Sequence, residues 1–186
     1  QERARARETL SVHVARRLLR RRTTAVAAWI TPETVNALLE QHGYAGEVDL
    51  LSVDVDGNDY WIWKAITVCT PRVLMLEYNS MFGPERAVTV PYDPKFSRRD
   101  HRFCYYGASL AAMTRLSESK GYRLVAVEPT GVNAFFLRND VGPEIPACEP
   151  ARVYRIPDKY NQMIRDKQLD VFKWVEESGR RLIDVE

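Results

Sequence analysis

Acidic and amide side chains are concentrated in residues 54–60, directly after the mostly apolar run 48–53. This short segment, Asp-Val-Asp-Gly-Asn-Asp-Tyr, contains three carboxylates. A carboxylate beside a dry protein core is costly unless it binds something. Ligands of open α/β sheets bind just outside the carboxyl ends of the strands. Because Glu77 and Asn79 follow the next apolar run, 72–76, in the same way, the sequence predicts a site at the ends of two adjacent strands.

The chemistry of these side chains suits proton transfer or a hard cation. Asp54, Asp56 and Glu77 are predicted as catalytic carboxylates, because a base must take the proton when a hydroxyl becomes a nucleophile. Two neighbouring carboxylates raise the pKa of one of them unless a cation neutralises them. Asp54, Glu77 and Asn79 therefore also form a predicted ligand set for Mg²⁺, which takes oxygen ligands and would hold and deprotonate a substrate hydroxyl.

A purely structural interpretation of the same residues stays open. Asn58 or Asp59 would cap the helix predicted at residues 60–66, and Asp54 and Glu77 would bond backbone amides or arginines. A calcium loop of the EF-hand type is excluded, because no Glu stands about six residues beyond the glycine of the acidic segment.

The elements that position this site alternate between strands and helices. The apolar run 24–30 predicts a buried strand, and Thr31-Pro32-Glu33 predicts the start of a helix that ends at Gly43. The near-continuous apolar run 48–53 predicts a strand covered on both faces. Residues 81–103 are a long irregular segment with prolines and aromatic residues, predicted as a lid over a pocket.

The remaining elements complete an α/β pattern. We expect a helix at 109–119, an antiparallel hairpin of strands 122–127 and 132–137, and a helical tail at 158–178. This order predicts a mostly parallel sheet that ends in a C-terminal antiparallel hairpin and has helices on both faces.

Composition restricts the class of protein. The 186 residues carry a formal net charge of +2, which favours neither nucleic acid nor a membrane as the main partner. No apolar run reaches the roughly 18 residues of a membrane span. Cys69, Cys104 and Cys148 are widely spaced and are interpreted as reduced thiols, so we expect a cytoplasmic protein. The arginine-rich residues 1–22 are predicted to form a solvated helix; a transit peptide or a nucleic-acid-binding segment are the alternatives.

Several short segments resemble a family of bacterial enzymes. The run Asp54-Val55-Asp56-Gly57 stands where the family has Asp-x-Glu-Gly at the end of its fourth strand. Further segments are Leu76-Glu77-Tyr78-Asn79, Thr89-Val90-Pro91-Tyr92-Asp93-Pro94, Tyr105-Tyr106-Gly107-Ala108-Ser109-Leu110 and Gly131-Val132-Asn133-Ala134-Phe135-Phe136. Together they are similar to class I S-adenosylmethionine-dependent methyltransferases of the FkbM-related bacterial group. The resemblance covers residues 23–140, which it implies form the methyltransferase-like domain, with residues 141–186 as a C-terminal extension.

The resemblance implies a function and further site residues. It implies a partial Rossmann-like sheet and transfer of a methyl group from S-adenosyl-L-methionine to an oxygen of a small molecule or sugar. The residues it assigns are Ile30, Asp54 and Val55 for the cofactor, and Asn58, Asn79, Tyr92 and Tyr106 for the substrate. The lid aromatics would stack on a flat or sugar substrate, or simply pack with one another.

The chain also departs from the family pattern. The family holds its cofactor with a glycine-rich turn after the first strand and an acid after the second, and neither is found here. We therefore expect the sheet edge at residues 48–53 to be covered by a missing N-terminal half or by another copy in a homo-oligomer. The alternatives are a non-catalytic domain that binds a partner through this edge, and a different α/β enzyme with a divalent metal at Asp54 and Glu77.

Overall fold

The computed structural model describes residues 24–101 and 104–186; the basic helix predicted at residues 1–22 lies outside them. The α-helices are α1 (Val35–Gln41), α2 (Asp59–Ala65), α3 (Leu110–Ser119), α4 (Pro150–Val153), α5 (Asp158–Asp166) and α6 (Val171–Glu177). The strands are β1 (Gly46–Val53), β2 (Cys69–Glu77), β3 (Val88–Thr89), β4 (Tyr122–Val127), β5 (Asn133–Arg138) and β6 (Ile183–Asp184). Two short 3₁₀-helices, Ser80–Phe82 and Arg98–Asp100, lie between β2 and α3.

The main sheet is mixed. Its strand order is β1-β2-β5-β4, with β1 and β2 parallel and the other two pairs antiparallel. The α/β class and the antiparallel hairpin are confirmed, but the expectation of mostly parallel pairing is wrong. The hairpin causes the difference, because its second strand, β5, lies between β2 and β4. Three of the four strands still run in one direction.

The helices of the main core cover one face of this sheet. Alternate residues of the strands, Leu74, Leu76, Phe136 and Leu124, are fully buried against α2 and α3. The residues on the opposite face are buried less uniformly: Met75 is half-buried, whereas Leu137 is buried. The expectation of helices on both faces stays a prediction.

The predicted first strand is wrong. Residues 24–30 have no strand partner and are exposed, with Trp29 70% accessible. An apolar run becomes a strand only where a neighbour offers backbone hydrogen bonds, and in the described part of the chain β1 pairs with β2 alone. β1 is consequently an edge strand, and Leu50 is 57% exposed, contrary to the expectation that both faces are covered.

The start of α1 was also predicted too early. The Thr31 carbonyl accepts hydrogen bonds from the N–H groups of Thr34 and Val35, so residues 31–34 form a turn and the helix begins at Val35. Its predicted end is confirmed, because Gly43 adopts a left-handed conformation with φ of 79°.

Residues 81–101 form a second, smaller core together with the C-terminal helices. Phe82 and Val88 are buried with Val171 and Val175 of α6, and β3 pairs with β6. The predicted single helical tail is two helices, since Gln168 between them has a φ of 46°. No described helix combines the length and the apolar character that crossing a bilayer requires.

Candidate functional site

The acidic segment forms a tight turn between β1 and α2. Asp56 has a φ of 57° and Gly57 a φ of 145°, and the second value is accessible essentially to glycine alone. A Cβ atom at Gly57 would stand 2.2 Å from Cε1 of Phe96. Phe96, which belongs to the segment predicted as a lid, therefore packs directly against this turn.

Asp59 holds this turn in place. Its carboxylate accepts hydrogen bonds from the backbone N–H groups of Val55 at 2.8 Å and Gly57 at 2.9 Å, and the residue is 1% exposed. Burial raises the pKa of Asp59 to about 6, against the lowering effect of these hydrogen bonds. Asp59 therefore stabilises the turn that precedes α2 and does not cap this helix as the structural interpretation predicted. Val55, which was predicted to bind the cofactor, has its backbone N–H bonded to Asp59.

Asn58 precedes α2, but its side chain does not cap the helix. Its amide nitrogen donates to the Asp93 carbonyl at 2.9 Å, which ties the turn to the lid segment. Its buried Oδ1 has no hydrogen-bond partner among the described residues. The predicted contact of Asn58 with a substrate stays a prediction.

Glu77 is the last residue of β2 and is only 5% exposed. Its Oε1 accepts from Arg98 at 3.2 Å, whereas Oε2 is buried and has no hydrogen-bond partner in the described chain. Burial raises the pKa of Glu77 to about 8, and the charges of Asp59 and Asp54 act in the same direction, while Arg98 lowers it. The carboxyl group therefore exchanges a proton near neutral pH.

Parallel pairing brings three of the predicted carboxylates together. Val53 lies opposite Leu76, so the residues that follow β1 meet the end of β2 at one edge of the sheet. One oxygen each of Asp54, Asp56 and Glu77 lies within 4.8 Å of the other two. We call these three residues the acidic cluster. Asp54 and Asp56 are exposed and Glu77 is buried.

Arg98 supplies a positive charge to this cluster, and its contact with Glu77 agrees with the structural interpretation, in which Glu77 bonds an arginine. Its Nη1 lies 3.3 Å from an Asp56 oxygen and 3.2 Å from a Glu77 oxygen. The guanidinium stacks 3.7 Å from the ring centre of Tyr106, and Nη2 donates to the Tyr160 hydroxyl at 3.4 Å. Tyr106 thus contacts Arg98 beside the cluster, and its predicted role in substrate binding stays a prediction.

Asn79 serves the fold instead of a ligand. Its amide nitrogen donates to the carbonyls of Cys104 and Tyr106, both at 2.9 Å, and its oxygen accepts from the Met81 N–H at 3.0 Å. These bonds use both amide hydrogens and the oxygen, so we leave Asn79 out of the proposed ligand set.

Tyr92 and Ile30 lie outside the immediate surroundings of the cluster. The Tyr92 hydroxyl donates to Glu33 at 3.0 Å on the surface. Ile30 lines an apolar groove of about 300 Å³ between residues 24–30 and α1. The groove is lined by Thr24, Val26, Ala28, Ile30, Val35, Leu38, Leu39, His42 and Tyr44. Neither Asp54 nor Val55 contributes to it, so the three predicted cofactor residues do not share this groove.

Comparison with known proteins found no matching family model, no similar curated protein and no similar solved structure. The methyltransferase resemblance, with its cofactor and its acceptor, therefore stays a prediction that the geometry of the site must support.

Proposed function

We propose that this chain is an S-adenosylmethionine-dependent methyltransferase domain that methylates an oxygen of a small molecule or sugar. The observation that carries the proposal is the acidic cluster at the carboxyl ends of two adjacent parallel strands. This edge is where α/β sheets bind their ligands. The antiparallel β5 near the end of the sheet is a second point of agreement with the resemblance.

The chemistry of the cluster suits this reaction. S-adenosylmethionine, when bound, supplies a methyl group on a sulfonium that an acceptor oxygen attacks. The protein has to align the acceptor and take its proton. Asp54 and Asp56 are exposed at the strand ends and can orient a hydroxyl, while Glu77 exchanges a proton near neutral pH. Asn58, two residues beyond Asp56, has a side-chain oxygen without a hydrogen-bond partner among the described residues, which leaves it available as a hydrogen-bond acceptor.

Titration calorimetry of the full chain with S-adenosylmethionine tests the proposal. We expect saturable binding with one site, weakened at least tenfold by D54N. D49N is the matched control, because Asp49 is also an exposed aspartate of the β1 region and pairs only with Arg72 at the surface. An absence of saturable binding, or equal losses in D54N and D49N, would contradict the assignment.

The exposed edge of β1 favours a second candidate function, a non-catalytic domain that binds a partner. An edge strand with exposed apolar residues is a template for another chain, and Leu50 is 57% exposed there. Light scattering coupled to size exclusion tests self-association through this edge. We expect L50E to reduce the fraction of dimer. A wild-type chain that is monomeric over a 100-fold range of concentration would exclude a homo-oligomer.

A further inference from the structure

We propose that the acidic cluster binds a hard divalent cation through Asp54, Asp56 and Glu77, and that Arg98 competes with this cation for the same carboxylates. The proposal goes beyond methyl transfer, since cation binding does not depend on it. It also changes the ligand set predicted from the sequence, because Asp56 takes the place of Asn79.

The first argument is the unsatisfied oxygen of Glu77. A buried carboxylate oxygen without a partner is costly and calls for a specific explanation. Glu77 is 5% exposed, and Arg98 contacts only Oε1. Oε2 therefore lacks a donor among the described residues, while its carboxyl group lies in the cluster with two further carboxylates. A cation at this point satisfies it.

The second argument is the spacing of the oxygens. Two ligands of one ion can be separated by at most twice the metal–oxygen distance, which gives about 4.2 Å for Mg²⁺ and about 5 Å for Ca²⁺. The three oxygens lie within 4.8 Å of one another. Ca²⁺, which has the longer metal–oxygen bonds, therefore requires a smaller movement of the carboxylates than Mg²⁺ or Mn²⁺ does.

The third argument is charge. Arg98 is the cation that contacts the cluster, and its Nη1 lies between Asp56 and Glu77. One guanidinium does not balance the two exposed aspartates of the cluster, Asp54 and Asp56, so a negative potential remains for a second cation. A metal ion bound by the same carboxylates competes with Nη1 for Asp56 and Glu77. Tyr106 and Tyr160 contact the guanidinium on its other sides and would retain it.

Mn²⁺ titration of the chelator-treated full chain, followed by electron paramagnetic resonance, tests this proposal directly. Binding removes the signal of free Mn²⁺, and competition with Ca²⁺ and Mg²⁺ ranks the ions. We expect one saturable site in the wild-type chain. R98Q should bind about tenfold more tightly, because the competing charge is gone. R99Q is its control, since Arg99 is the exposed neighbour in the same turn.

Loss of a carboxylate should have the opposite effect. We expect D56N and E77Q to bind at least tenfold more weakly, whereas D49N binds as the wild type does. Circular dichroism and thermal unfolding check that each variant is folded. If E77Q fails to fold, D56N carries the test alone, because Asp56 is exposed.

Two results would overturn the proposal. One is the lack of saturable Mn²⁺ or Ca²⁺ binding at up to about 10 mM ion in both the wild type and R98Q. The other is an equal effect of D56N and D49N. A chain that binds Mn²⁺ but not S-adenosylmethionine would retain the cation site and refute the proposed function, so the two failures can be told apart.

Discussion

Gly57 is the position at which a single methyl group should damage the site most directly. Residues other than glycine rarely adopt its φ of 145°, and an added Cβ would lie 2.2 Å from the Phe96 ring. For G57A we expect a loss of about 4 kcal/mol in the free energy of unfolding. Roughly 2 kcal/mol come from backbone strain and roughly 2 kcal/mol from overpacking against the ring.

A double-mutant cycle with Phe96 separates the two contributions. F96A alone should cost about 3 kcal/mol, as expected when a buried aromatic ring is removed. In G57A/F96A the methyl group has room, so the double variant should cost about 2 kcal/mol less than the sum of the single variants. G43A provides the control for strain without a clash, because Gly43 has a φ of 79° and no heavy atom within 4 Å of the added Cβ; we expect about 1 kcal/mol.

Urea unfolding followed by circular dichroism measures all four variants. The reasoning would be refuted by additive costs, meaning a coupling below about 0.5 kcal/mol between positions 57 and 96. That result would show that Phe96 does not lie over the acidic turn in solution.

Three further predictions concern the buried polar and glycine positions around the site. Burial raises the pKa of Glu77 from 4.5 to about 8. The stability that its protonated form contributes is therefore complete below pH 4.5 and is lost as the pH rises to 8, by at most about 1.4 kcal/mol per pH unit. With chelator present, the free energy of unfolding in urea should fall less steeply over this range for E77Q than for the wild type, and equal slopes would exclude the raised pKa. The buried Ser109 hydroxyl accepts from two backbone N–H groups, so S109A should lower the free energy of unfolding by about 2 kcal/mol; a loss below about 0.5 kcal/mol would contradict these bonds. A Cβ at Gly131 would lie 2.6 Å from the Arg155 carbonyl oxygen, so in thermal unfolding G131A should be about 2 kcal/mol less stable than G83A, which shares the same φ of 71° without a neighbour within 4 Å; equal losses would refute the close approach.

Local patterns predicted the elements that depend mainly on local forces. The hairpin of β4 and β5, the helix after Ser109 and the end of α1 at Gly43 follow from turn and capping residues, and each is confirmed. The strand predicted at residues 24–30 is wrong because a strand also needs a neighbouring strand to pair with, and residues 24–30 have none. An apolar run shows only that burial would be favourable.

Only the carboxylates of the candidate site could be predicted from the sequence, for a similar reason. The three carboxylates follow two strands, and parallel pairing brings strand ends together. Arg98 and Tyr160 reach the cluster from a loop and a distant helix, and no spacing rule connects them with Asp54. Asn79 was wrongly assigned to the ligands because a polar residue after a strand can either bind a ligand or stabilise a tight turn, and the sequence does not distinguish the two roles.

The second core is completed only by the last residues of the chain to be synthesised, because β3 pairs with β6. Val88 lies opposite Asp184, and Tyr160, which contacts Arg98, is also made well after the acidic cluster. A ribosome releases β1, β2 and their carboxylates long before α5, α6 and β6. On the nascent chain the carboxylates therefore precede the contacts that fix their arginine. If the cluster binds a cation as proposed, soluble cations would therefore have access to it before the guanidinium of Arg98 is held in place.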